Sequence, residues 1–228
     1  RDIWLAVGDV SGKGVPAALL MASAISVLRR ELSQDLPLGP DAIMQRLNHS
    51  LMDSLVSSNC LITMVLARYS PERAEITYAN AGHVYPVVWS RKLVAQHGAG
   101  LGQDPATPQP DYLQERGVPL GIAADWQARA GRRSLLPGDV LMLVSDGITE
   151  ATVPSDNGAS HQDPDPHTGH HKQIAAVEPS SSMLRHSGLW KLILQHHGAP
   201  DVDVILHHIQ SSHIPREDDQ TILTMEVL

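Results

Sequence analysis

The stretch Ile3-Trp4-Leu5-Ala6-Val7-Gly8-Asp9-Val10-Ser11-Gly12-Lys13-Gly14-Val15-Pro16-Ala17-Ala18-Leu19-Leu20 decides the fold. Its first five residues form an apolar run that stops at Gly8-Asp9, the pattern of a central strand. Gly12 and Gly14 make a tight turn. Pro16 falls where a first helical turn tolerates it, because the missing N–H would have no helical partner there. Leu19, Leu20, Ala24, Val27, Leu28 and Leu32 then recur at helical spacing, predicting a helix over 17–32. A carboxylate is thus delivered at the end of a buried strand, directly before a turn and a helix.

Working outward, Pro37, Gly39 and Pro40 end this helix. A second is expected over 42–56, with Ile43, Leu47, Leu51 and Leu55 four apart and Asp41 as N-cap or first-turn residue. The period then changes to two. Strands are expected at 61–69, 74–79 and 84–89, read as a three-stranded antiparallel meander, with Ser70 to Arg73 as a turn and Asn80-Ala81-Gly82-His83 as a hairpin turn. Residues 90–111 read as a loop. Strands follow at 112–116, 127–135 and 140–144, with Pro137-Gly138-Asp139 as a tight turn. Residues 153–182, rich in Pro, Ser, His, Asp and Gly, read as an exposed polar insertion. Helices at 189–196 and 202–209 and a closing strand at 220–228 complete the chain. Strands and helices segregate instead of alternating, which argues for an α+β class over a doubly wound parallel sheet.

The bulk composition sets limits. At 228 residues, with 42% hydrophobic and 18% charged, the chain suits one domain with a sizeable core. Phe is absent, so that core must rest on Leu, Val, Ile, Ala and Met. A net charge of −8 with no basic patch argues against nucleic acid as a partner. The lone cysteine, Cys60, excludes an intrachain disulfide framework and fits a reducing compartment. At the start of an apolar strand, it reads as a core residue and not a nucleophile. No apolar run approaches the roughly 20 residues of a membrane helix. The expected location is therefore cytoplasmic, with an anchor upstream in a parent protein left open. The chain opens inside a core strand, so it is expected to be a piece of a longer protein.

Three acidic sites stand at the ends of strand-like runs: Gly8-Asp9-Val10, Ser145-Asp146-Gly147 and Glu217-Asp218-Asp219. Each alone is an ordinary turn after a strand. Brought together, their carboxylates would repel strongly unless cations sat between them. All-oxygen donors suit Mg²⁺ or Mn²⁺, not Zn²⁺. Two such ions about 3.5–4 Å apart activate a bridging water and clamp a phosphoryl group without a protein nucleophile.

The segments GDVSGKGVPAALLMA, NAGHVYP, PLGI, LVSDGITEA and EDDQTIL, in this order, resemble the SpoIIE/RsbU branch of the PPM (protein phosphatase 2C-like) family over Ile3 to Leu228, the 153–182 loop excepted. The resemblance implies an α-β-β-α sandwich of two antiparallel sheets flanked by helices. It implies one domain over 1–228, lacking its N-terminal strands, with the metal centre at one edge between the sheets. It makes Asp9 the bridging ligand of two Mn²⁺ or Mg²⁺ ions, Val10 a ligand through its backbone carbonyl, and Asp146 and Asp218 further ligands. Asp219, Gly147, Gly12 and Gly14 are implied as supports. The expected activity is hydrolysis of phosphoserine or phosphothreonine by in-line attack of metal-bound hydroxide. The substrate implied is a phosphoprotein, a STAS-type anti-sigma-factor antagonist. Partners upstream would be sensor or regulatory domains, and a homodimer stays open. The family's further acidic motif, a Gly-Gly-Asp-x-Tyr-like segment, would precede Arg1 and is not in this sequence. That departure keeps a non-catalytic, phosphatase-like binding module as the alternative.

Other features are weaker. Gly8 to Gly14 lacks the spacing and hydroxyl of a phosphate loop, and Lys13 reads as solvated or as meeting phosphate. His83 has no expected catalytic role. His161, His167, His170 and His171 read as a solvated loop, and the pairs His196-His197 and His207-His208 as incidental. Because the 17–32 helix begins so soon after Asp9, a partner that shifts it would move the ligands and switch the site.

Overall fold

A computed structural model describes residues 1–34, 38–97, 107–154, 181–210 and 218–228. The His-rich part of the polar insertion, 155–180, and Glu217 lie outside the described residues.

The opening strand β1 (Ile3–Val10) runs through Asp9, three residues further than the apolar run. It leads into α1 (Val15–Leu32) and α2 (Pro40–Ser57). Gly39 caps α2, which puts Asp41 in its first turn and not at the cap. Next come β2 (Ile62–Ser70), β3 (Glu75–Ala81), β4 (Val87–Ser90), α3 (Arg91–His97), β5 (Asp111–Tyr112), β6 (Gly131–Ser134) and β7 (Asp139–Val144). A short α4 (Asp146–Thr149), then β8 (Thr152–Pro154) and β9 (Ser181–Met183), α5 (Arg185–Gln195), α6 (Val202–Gln210) and β10 (Ile222–Glu226) complete the order.

Two four-stranded antiparallel sheets form, with orders β1-β2-β3-β6 and β10-β7-β4-β5. The period of two explains how they stack. On β2, Val65, Ala67 and Tyr69 face the second sheet, meeting Val88, Leu141 and Leu143. Ile62, Met64 and Leu66, on the opposite face, pack under α1 and α2 with Leu20, Ala24, Ile43, Leu47 and Leu55. On β7, Val140, Met142 and Val144 pack against Leu189, Ile193, Ile205 and Ile209 of α5 and α6. Three apolar layers therefore bind four structural layers, the α-β-β-α sandwich.

Several local expectations are corrected. The three-stranded meander does not form: β2 and β3 pair, but β4 crosses to the second sheet. The segment Asn80 to His83 is therefore not a hairpin turn but the corner of that crossing. Asn80 holds it, accepting from the His83 N–H at 2.8 Å and donating to the His83 carbonyl at 3.2 Å. A side-chain amide here does what a two-residue turn cannot, because the chain changes sheets instead of reversing within one. The 90–111 loop opens with α3, whose Val94 is buried beside Trp89 in the layer under the second sheet. The strand expected at 112–116 shrinks to Asp111–Tyr112, and that at 127–135 to Gly131–Ser134. The ends of the polar insertion pair with each other as β8 and β9.

Two polar devices fix the α1–α2 layer. Buried Asn48 of α2 accepts from the Gly121 N–H and donates to the Ala123 carbonyl, both at 2.9 Å, tying the Pro119-Leu120-Gly121-Ile122 segment to the helix. Glu31 of α1, only 5% exposed, accepts from Arg46 of α2 at 2.9 Å and from neighbouring Arg30 at 3.1 Å. The hydrogen bond from Arg46 is the main reason its carboxyl lies below its ordinary value.

Replacing Asn48 by Leu strands one N–H and one carbonyl, and should cost about 2–4 kcal/mol in urea unfolding. Because Glu31 titrates lower in the folded chain than in the unfolded one, its contribution is present above its ordinary value of 4.5 and is lost as pH falls through the depressed one. Unfolding free energies measured between pH 3 and 6 should show that acid loss in the wild type, and a flatter profile in Glu31→Gln.

Candidate metal centre

The alternation that stacks the sheets also aims Asp9. Leu5 and Val7 of β1 face the layer between the sheets, and Asp9 continues their side to its end. On β2, Thr63 stands directly opposite Asp9 in the antiparallel register. From the second sheet, β7 ends at Val144, and the chain turns at once into α4 with Asp146 as its first residue. Asp218 and Asp219 lie just upstream of β10, with Gln220 and Thr221 between, and β10 is the strand paired to β7.

Hydrogen bonds fix each approach. The Ser11 N–H donates to the Leu61 carbonyl at 2.8 Å, and the Leu61 N–H donates to Ser11 Oγ at 2.7 Å, clamping the turn after Asp9 to the start of β2. Gly12 and Gly14 have φ of 105° and 83°, in the left-handed region that side chains disfavour, so the turn can pass from strand to helix in four residues. Ser145 Oγ donates to the Asp219 carbonyl at 3.0 Å and accepts from the Thr221 N–H at 2.9 Å. Gly147 lies so close that a Cβ there would meet the Asp219 carbonyl oxygen at an impossible separation. The 145–147 and 218–221 segments are therefore packed as one unit. Asp146 accepts from the Gly147 N–H, and Asp218 from the Asp219 N–H, each at 2.9 Å.

The charges of three other carboxylates reach Asp9. The Asp9 carboxyl is pushed above its ordinary value, first by burial, then by the charges of Asp146 and Asp218, with Asp219 adding less. A hydrogen bond with the Val10 backbone opposes this. A cleft of about 780 Å³ opens over Asp9, Asp218 and Asp219, walled by residues 10–14, by Ala17, Ala18 and Met21 of α1, and by Leu206 and Gln210 of α6. Asp146 does not line the cleft, although its charge reaches Asp9.

Among the described residues, no three His, Cys, Asp or Glu side chains stand together as a ready-made cage. The donor chemistry nevertheless fits a hard divalent cation: carboxylate oxygens and a backbone carbonyl, arranged so that each carboxylate raises the cost of ionising Asp9. A cation among them would reverse that cost. Ser11, Ser145 and Thr63, which hold the approaches, were not singled out in the sequence. Ser145 lies inside the Ser-Asp-Gly motif and was readable there, whereas Thr63 carries no local signal.

Comparison with known proteins agrees with this architecture. The family model described as Stage II sporulation protein E (SpoIIE) matches residues 1–228. Phosphoserine phosphatase RsbU of Bacillus subtilis is 31% identical over 150 residues, covering 66% of this chain and 40% of the relative. The chain thus spans well under half the length of that relative. The SiaA-PP2C domain of Pseudomonas aeruginosa superposes with a TM-score of 0.67 at 15% identity, covering 99% of this chain and 80% of that one. RsbX, solved in complex with magnesium, superposes with a TM-score of 0.57 at 15% identity, covering 98% and 80%. With a family match over the whole chain and these superpositions, the chain belongs to the SpoIIE family and has the fold of PP2C domains.

Proposed function

We propose that this chain is a metal-dependent protein phosphatase that hydrolyses phosphoserine or phosphothreonine on a small protein. The observation that carries the reading is the meeting of Asp9, Asp146, Asp218 and Asp219, from three distant parts of the chain, around one electrostatic site beside an open cleft. The family membership and the activity named for RsbU support it. The magnesium of RsbX supports a hard-cation centre.

In this reading Asp9, Asp146, Asp218 and the Val10 carbonyl hold two Mn²⁺ or Mg²⁺ ions. Such ions, when bound, would supply charge neutralisation for the phosphate and activation of a water. The rest is done by the chain. Burial keeps Asp9 poised to gain from a cation. The packed 145–147 and 218–221 segments fix two carboxylates against each other. Lys13, on the wall of the cleft, brings a positive charge to an incoming phosphate dianion. The open cleft between α1 and α6 admits a phosphorylated side chain carried on a protein surface. Water adds to phosphorus, the serine oxygen leaves and takes a proton, and the products are the free hydroxyl and inorganic phosphate. Water can supply that proton.

The substrate class we favour is a STAS-type anti-sigma-factor antagonist, in keeping with the family resemblance. An upstream sensor domain would act through α1, which leaves the metal loop after four residues. The rival reading, a phosphatase-like binding module, draws on the absence of a ready-made three-ligand cage among the described residues. Turnover separates the two.

With Mn²⁺ present, the chain should release phosphate from p-nitrophenyl phosphate and from a phosphorylated STAS protein, and EDTA should stop it. Asp9→Asn and Asp146→Asn should each lower kcat by more than the roughly 10–100-fold that loss of an outer hydrogen-bond partner costs, with the circular dichroism spectrum retained. Full turnover in both variants would sink the mechanism. Gly147→Ala should force the 145–147 segment off Asp219, weakening Mn²⁺ binding in calorimetry.

A further inference from the structure

His83 is buried, 3% exposed, at the corner where the chain leaves the first sheet for the second. Its Nδ1 is 2.9 Å from Thr63 Oγ1, and Thr63 is the cross-strand partner of Asp9. On its other side the ring feels the Asp146 carboxylate and the Val144 carbonyl, at the end of the second sheet's β7. One side chain thus touches the cross-strand neighbour of Asp9 on the first sheet and lies by the end of β7 on the second, two residues before Asp146. Its backbone is held by Asn80, so the ring cannot drift along the edge.

The imidazole chemistry is specific to this place. Burial is the main influence on the ring and keeps it neutral, so it has one N–H and one lone pair. A proton on Nε2, toward the Val144 carbonyl, leaves Nδ1 to accept from the Thr63 hydroxyl. Nε2 has no well-formed hydrogen bond. An apolar residue would fill this corner without leaving a buried nitrogen unbonded. Packing alone does not account for a histidine here.

We propose that His83 is a positioning residue: through Thr63 on the first sheet and the end of β7 on the second, it sets the spacing between Asp9 and Asp146. The role rests on the metal-centre reading above. It acts on the geometry of the ligands, not on the phosphate.

The test is Mn²⁺ calorimetry on the full chain, with thermal melts and p-nitrophenyl phosphate kinetics alongside. His83→Asn and Thr63→Val should each weaken Mn²⁺ binding by about 10–100-fold and lower kcat, with KM little changed. Thr63→Ser keeps the hydroxyl and should bind close to wild type, although it removes a methyl group. A purely packing role predicts the reverse order, because Val fills the Thr site and Ser does not. Val65→Ala, a buried position on the same strand, should lose melting temperature while holding its Mn²⁺ affinity. If His83→Asn fails to fold, the two Thr63 variants decide. Thr63→Val binding as tightly as wild type, or Mn²⁺ losses that track melting temperature in every variant, Val65→Ala included, would overturn the proposal. Wild type that binds Mn²⁺ without turnover would overturn the phosphatase reading and leave this one standing. Wild type that binds no Mn²⁺ would overturn both.

Discussion

Asp9, held half-buried where other negative charges reach it, sets a constraint that the rest of the structure must carry. Asp9 is half-buried, and the charges of Asp146, Asp218 and Asp219 all disfavour its ionised form. No turn would gather them unaided. They stay together because the strands that carry them are fixed by apolar layers far larger than the site, including Val65, Leu66, Leu141 and Leu143, all nearly inaccessible. Burial of such side chains contributes about 1.5–3 kcal/mol each, so a few of them outweigh a repulsion that neighbouring water screens. The strain is local, and the scaffold that tolerates it is global.

Precision at the site comes from short polar contacts and not from the core. Ser11 closes two hydrogen bonds to Leu61, and Ser145 closes two to the 219–221 segment. Gly147 admits the Asp219 carbonyl against its own backbone. These contacts convert three independent strand ends into two units, one per sheet. The distance between the units is then a matter of how the sheets meet at the crossing corner, where Asn80 and His83 sit.

The helices divide the work differently. Leu20 and Ala24 anchor α1 to the first sheet, and Glu31 ties its far end to Arg46 of α2. Its near end carries the exposed Val15 and Leu19 and follows directly from the turn after Asp9. Tethering is therefore strong away from the site and weak beside it. An element arranged in this way can transmit a push from a neighbour to Asp9 without unfolding the layer beneath.

Much of this was legible in the chain itself. Period-two and helical spacing identified β1, α1, α2, β2, β7 and β10, because each is long enough, or apolar enough, for burial of one face to dominate its local preference. The three acidic motifs were visible because Asp beside Gly or beside a second Asp, next to an apolar run, is a local pattern. The crossing of β4 to the second sheet, the helix over 91–97 and the shortness of β5 were not visible. Nothing within a strand records which sheet it will join; that choice is made by which face finds an apolar partner once the layers stack. For the same reason the sequence named Asp9 and Asp146 but could not put His83 against Thr63 and the end of β7. Covalent order fixes what each residue offers, and only the packing of the two sheets decides which offers meet.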